Sequence, residues 1–248
     1  MSKTNDTGHG RNVVNGEMLI TYLTGYGAPY NPSNANIQLN SLTEKAAAAR
    51  AINEQVNDLI AKNSNAIAAR DLAFEPLKTL STRVLNAVKS VNVPQQVLDN
   101  AITNNRKIHG QRASPKLTEE EKKALEAKGT IVNQKTAAQL GYDNLIDSLD
   151  KQIKVLATIP QYAPNEVDLQ LATLTTLYGD LLQKNREVVT NTSQLSTLRL
   201  NRDKILYDAE TGLVALALDV KNYVKSVFGS TSPQYKQISG ITFKNVKV

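Results

Sequence analysis

At 248 residues, with 41% apolar side chains, the chain can bury a core either as one large domain or as two small ones. It has no Trp, three Phe and a surplus of Ala, Leu and Val, a filling that suits packed helices better than sheets. The absence of Cys excludes disulfides, thiolate chemistry and cysteine metal sites. The net charge of +6 is local: residues 106–116 and 221–248 hold only cations, and the remainder of the chain is acidic.

The first residues, MSKTNDTGHGRN, are polar and lack the apolar stretch of a signal peptide, so residues 1–13 read as a polar tail. The longest clean apolar run, LVALAL at 213–218, is far below the roughly 18 residues that span a bilayer. A cytoplasmic location is therefore expected. A secreted protein with its signal already removed is the alternative.

GEMLITYL (16–23) has a helical pattern and leads into YNPSNANIQLNSLT (30–43). The second phrase returns 132 positions later as YAPNEVDLQLATLT, with identities at Tyr30/Tyr162, Pro32/Pro164, Gln38/Gln170, Leu39/Leu171, Leu42/Leu174 and Thr43/Thr175. Ser33 and Asn165 follow the prolines as expected N-caps. Leu42, Ala49, Val56 and Asn63 fall seven apart, as do Leu174, Leu181, Val188 and Leu195, which is the seam of nearly parallel or antiparallel packed helices. The pair Arg70-Asp71 returns as Arg202-Asp203, and LKTLSTRVLNAVKSV (77–91) returns as LVALALDVKNYVKSV (213–227).

The echo implies an internal duplication. Each copy reads as an entry segment, a Tyr-x-Pro turn, a first long helix (34–62 and 166–195), a second (65–91 and 196–228) and a basic tail. Pro76 and DAETG (208–212) should kink or break the second helices. Between the copies, Thr118 and Glu121 form a capping box and Gly129 a stop for a short charged helix.

The expected fold is all-α: an elongated helical bundle with four long helices, built from two duplicated hairpins, with short peripheral helices. A spectrin-like rod is the alternative. The expected segments are a tail 1–13, a first repeat 14–112, a charged linker 113–135, a second repeat 136–228 packed on the first as one bundle, and a non-helical basic tail 229–248.

Chemistry is sparse. His9 lies in the polar start, where disorder is expected, and His109 in a basic loop, too far apart in kind for a metal site or triad. The sequences GYG (25–27) and GHG (8–10) lack the Gly-Lys-Ser/Thr of a P-loop. Asp71, Glu75, Asp203, Asp208 and Glu210, near the entrances of the second helices, are the candidate carboxylates for acid–base work, and each Arg-Asp pair is expected to turn towards an adjacent helix. Tyr30 and Tyr162 are expected to lay their rings over the bundle end with the hydroxyls in water. No enzyme activity, cofactor or metal is expected.

The function expected is a helical scaffold or protein-interaction protein, with self-assembly into a homo-oligomer possible. The alternative is weak, sequence-independent binding of nucleic acid or another polyanion through Arg106, Lys107, Arg112 and Lys116 and the basic end 221–248. At the C-terminus no helix is expected to resume at once after Gly229 and Pro233, and ITFKNVKV alternates with a period near two. Ile238, Ile241, Phe243 and Val246 then either pack on their own bundle, dock on a partner or stay disordered.

With YAPNE (162–166), YVKSVFG (223–229) and SPQYKQISGI (232–241) on the page, the chain resembles a family of uncharacterised bacterial proteins that are all-helical and internally duplicated. The resemblance implies a helical fold over nearly the whole chain and no assigned activity, cofactor or site.

Overall fold

The computed structural model describes residues 7–111, 118–128 and 140–246, and among these it is all-α, with no strand. The helices are α1 (Thr7–Tyr26), α2 (Leu39–Phe74), α3 (Leu77–Lys89), α4 (Gln95–His109), α5 (Glu119–Glu126), α6 (Tyr142–Ala157), α7 (Leu171–Tyr207), α8 (Leu213–Phe228) and α9 (Pro233–Ser239). Single 3₁₀ turns at Ala35–Ile37 and Val167–Leu169 precede the two longest helices.

Two very long helices replace the four that were expected. No break occurs near 63 or 195, and α2 and α7 run unbroken for 36 and 37 residues, about 55 Å each at 1.5 Å per residue. The stretch AKNSNAIAAR contains neither Pro nor Gly, so nothing in it stops an established helix. The interruptions come at Pro76 and at 208–212, the two places where the sequence carries breaking chemistry. At the second, Asp208 Oδ1 accepts from the backbone N–H of Glu210 (3.1 Å) and Thr211 (2.8 Å). Those bonds hold the Asp208 carboxyl below its usual range, and they turn the chain into α8.

The helix starts also differ from expectation. Asn34 rather than Ser33 is the capping residue, and what it caps is the 3₁₀ turn, accepting from the Asn36 N–H at 3.0 Å. Residues 7–13 belong to α1 and not to a tail, despite Gly8 and Gly10, because packing overrides their low propensity. Gly16 shows the reason for one such glycine: a Cβ there would stand 3.0 Å from Leu213 Cδ2, so α1 approaches α8 through it. In the linker, Thr118 and Glu121 form the expected capping box at the start of α5, while Gly129 lies outside the described residues.

The chain forms two compact units. The first combines residues 1–63 with 191–248, and the second is the continuous stretch 64–190. Each unit therefore draws on both copies of the sequence echo. In the first, Leu19, Leu23, Tyr30, Ile37 and Leu42 pack with Leu216, Val220, Val224, Ile238 and Ile241. A second cluster joins Val13 and Ala49 to Leu206 and Leu213. In the second unit, Val84, Leu85, Val88 and Ala101 pack with Leu156, Ile159, Leu169 and Leu174, while Phe74, Leu77 and Ile108 pack with Leu145, Leu149 and Leu181. The helix α4, absent from the sequence reading, packs on α3 and α6 through Ala101, Asn104 and Ile108, and ends at Gly110 (φ 69°).

Both cores of the second unit lie wholly within 64–190, so that fragment should fold alone. Circular dichroism should show a helical protein with a cooperative thermal transition. A fragment 1–63 alone should stay largely unfolded until 191–248 is added. A non-cooperative 64–190 fragment would contradict this division of the chain.

Candidate interaction surfaces

The two turns that launch the long helices are built alike, bond for bond. The Tyr30 hydroxyl donates to the Ile37 carbonyl at 2.6 Å, and the Tyr162 hydroxyl to the Leu169 carbonyl at 2.8 Å. Gln38 Nε2 donates to the Pro32 carbonyl and Gln170 Nε2 to the Pro164 carbonyl, each at 3.4 Å. Thr43 and Thr175 return their hydroxyls to the carbonyls of Leu39 and Leu171, each at 2.8 Å. Leu42 and Leu174 are buried below. All six identities of the sequence echo therefore have a part in the turn. The hydroxyls are in the protein and not in water, which corrects the expectation: the carbonyl they satisfy would otherwise be left unpaired. Burial pushes the Tyr30 phenol well above its ordinary value of 10.0, and burial with the Asp168 charge pushes Tyr162 up to about 12.

A polar knot lies beyond each turn. In the second unit the Arg70 guanidinium covers the Tyr142 ring, 3.8 Å from its centroid, and Nη1 donates to Asn185 Oδ1 at 3.3 Å. Tyr142 donates to Asp71 Oδ1 at 2.6 Å, and Asn185 Nδ2 to Asp143 Oδ1 at 2.7 Å. In the first unit Arg202 is buried, with Nε 3.1 Å from Asp203 Oδ1. Arg70 Nε is likewise 3.5 Å from Asp71 Oδ1, so each Arg does meet its sequence neighbour, while Arg70 also reaches the adjacent helices. His9 is buried on α1, with Nδ1 2.7 Å from the Tyr207 hydroxyl, and so belongs to the fold and not to a disordered start. His109 Nε2 lies 2.9 Å from Thr82 Oγ1 and 3.1 Å from the Lys78 carbonyl. Of the grouped carboxylates, Asp71, Asp203 and Asp208 thus brace helices and turns.

Arg106 and Lys107 occupy the last turn of α4, where cations favour the helix dipole. Their carbonyls accept from the N–H of Gln111 (2.9 Å) and Gly110 (3.0 Å) respectively. Arg112 and Lys116 lie outside the described residues. The C-terminal segment holds a helix, α9, against expectation: Ser232 caps it by accepting from the Tyr235 N–H at 3.1 Å, and Pro233 sits in its first turn, where proline is tolerated.

Beyond Gly240 the chain lies against α1 without regular secondary structure. Asn15 Nδ2 donates to the Thr242 carbonyl at 2.7 Å. Asn12 both donates to the Lys244 carbonyl (2.7 Å) and accepts from its N–H (3.0 Å). Ile238 and Ile241 are buried in the first unit, Phe243 packs against the same core, and Val246 approaches Gly8. Of the three outcomes open to these residues, the structure shows packing on the chain's own core.

A cleft of about 570 Å³ lies in the first unit. Among the described residues its walls come from α2 and α7: Leu59 and Leu198 are apolar, with Asp58, Lys62, Gln194 and Thr197 around them. Among the described residues no helix is long and apolar enough to cross a membrane, and no group of three or more His, Asp and Glu is placed to hold a metal.

No family model matches the chain, and no solved structure matches it. Its similarity is to very long bacterial proteins. The extracellular matrix-binding protein ebh of Staphylococcus aureus (strain JH9) is 25% identical over 189 residues, 73% of this chain and 2% of the relative. The extracellular matrix-binding protein EbhA of Staphylococcus aureus (strain N315) is 26% identical over 190 residues, 73% of this chain and 3% of the relative. The chain therefore spans only a few hundredths of the length of the relatives it matches. These relatives are named for the extracellular matrix, which overturns the cytoplasmic location expected from the polar start.

Replacing Tyr30 with Phe leaves the Ile37 carbonyl without its donor and should cost about 1–3 kcal/mol. Tyr162→Phe should cost less, because that phenol is only part-buried and water can substitute. The folded-state pKa of each exceeds the unfolded value of 10.0, so the stability each contributes is complete below about pH 10. It is then lost progressively as pH rises towards 12 and beyond. Urea unfolding across that range should show wild-type stability falling more steeply than that of the Tyr30→Phe, Tyr162→Phe double variant. Parallel profiles would contradict the assignment.

Proposed function

We propose that the chain is a non-catalytic helical module of an extracellular protein, one that binds protein components of the extracellular matrix and serves as a structural segment of a longer adhesive molecule. The observation that carries this reading is the similarity over 73% of the chain to proteins named for matrix binding. The arrangement of the side chains supports it. Asp71, Asp203, Asp208, both histidines and the two turn tyrosines have structural partners, and the exposed surface is that of long helices. Recognition on such a surface is by helical faces and shallow clefts, which suits protein partners. Arg106 and Lys107 stabilise the end of α4 and are not needed as phosphate ligands in this reading.

Matrix laid down by cultured fibroblasts and stripped of cells provides the test. The purified chain should bind it saturably, and trypsin treatment of the matrix before addition should abolish binding. Removal of glycosaminoglycans should leave binding intact. Binding that resists trypsin but disappears with the glycosaminoglycans would replace this reading with polyanion recognition, and no saturable binding at all would end it.

A further inference from the structure

Among the described residues, the cleft on α2 and α7 opens where no other helix covers these two. Gly10, near the start of α1, lies beside Asn53, and α8 begins where Leu213 meets Gly16. Further along α2, at Leu59 and Lys62, the lining among the described residues comes from α2 and α7 only. A pair of helices buries one stripe each, and a facing pair completes a four-helix layer. Leu59 and Leu198 are the apolar part of that unfinished stripe, and both remain partly exposed.

We propose that this cleft is a self-association surface, occupied by the same cleft of a second copy of this chain in a two-fold dimer. The choice of occupant comes from charge. Asp58 and Lys62 are the charged residues of the lining, and they stand one helical turn apart on α2. A two-fold axis passing between them and across α2 sets Lys62 of each copy opposite Asp58 of the other. The rim is thus complementary to itself, as an isologous contact requires. The α7 wall contributes uncharged Ser193, Gln194 and Thr197, which oppose no approach. Leu59 and Leu198 of the two copies meet at the centre, and the ion pairs close over them at the rim. The inference is separate from matrix binding: a monomer can bind matrix, and a dimer can form without it.

Sedimentation equilibrium of the full chain tests the proposal. Wild type should pass from monomer to dimer as concentration rises. Lys62→Asp replaces both ion pairs with repulsion and should weaken the dimer by about tenfold or more, on the scale of two exposed pairs lost and reversed. The double reversal Asp58→Lys, Lys62→Asp restores complementarity and should return association to near the wild-type constant. Both positions are exposed, and far-UV circular dichroism of each variant should match wild type. Wild type that stays monomeric to millimolar concentration, a Lys62→Asp variant that dimerises as well as wild type, or a double variant that fails to recover would each overturn the proposal.

Discussion

A tyrosine hydroxyl that donates to a carbonyl seven residues further on holds the chain at the entrance to each long helix, and the rest of the structure is arranged around these two points. The bond fixes the 3₁₀ turn, and the turn sets the rotation at which α2 and α7 begin. Helix phase then decides which side chains face inwards for the next several turns: Leu42, Ala49 and Val56 on α2, and Leu174, Leu181 and Val188 on α7, are buried. A start rotated by one residue, 100°, would carry the seven-residue stripe off the core. The ring adds to the hold. Tyr30 meets Tyr223 edge-on at 5.4 Å, and the Tyr223 hydroxyl accepts from the Asn31 N–H at 3.2 Å, so the turn is pinned to α8 as well as to itself.

The division into units follows from the length of the helices that these turns launch. A hairpin of two separate helices would let each sequence copy bury its own core. Because α2 and α7 run on without a break, α2 gives its last third (64–74) to the second unit and α7 its latter part (191–207) to the first. The first unit therefore brings α1 together with α8, α9 and the segment after Gly240, while the second assembles from continuous sequence.

Much of this was legible in the sequence, for identifiable reasons. The all-α class followed from an apolar content of Ala, Leu and Val without Trp, and the turns followed from six repeated residues whose bonds the structure displays. Pro76 and the Asp208 loop were readable as breaks because they carry breaking chemistry. What escaped was decided by contacts distant in sequence. The helical state of Gly8 and Gly10 depends on packing, and the continuity of α2 past Asn63 depends on nothing stopping it. The helix α4 had a readable signal in Pro94, the spacing of Ala101, Asn104 and Ile108, and Gly110, masked by attention to its charges. The alternation in ITFKNVKV suggested a strand, and residues 241–246 form none; their backbone is held by side chains instead. Asn12 and Asn15 of α1 offer the amide groups that a neighbouring strand would have offered, a pairing that no local pattern announces. The interaction surface was the least legible part, since a cleft between residues some 135 positions apart is a property of helix register.

Residues 1–63 with 191–248, and residues 64–190, should open as two cooperative units, and native-state hydrogen exchange measures this directly. Under mild denaturant, amides of α1 and α8 (Leu19, Leu23, Val220 and Val224) should share one opening free energy. Those of α3, α4 and α6 (Val84, Ala101 and Leu149) should share another. Grouping by copy instead, with residues 16–91 opening together and 142–228 opening together, would contradict the account.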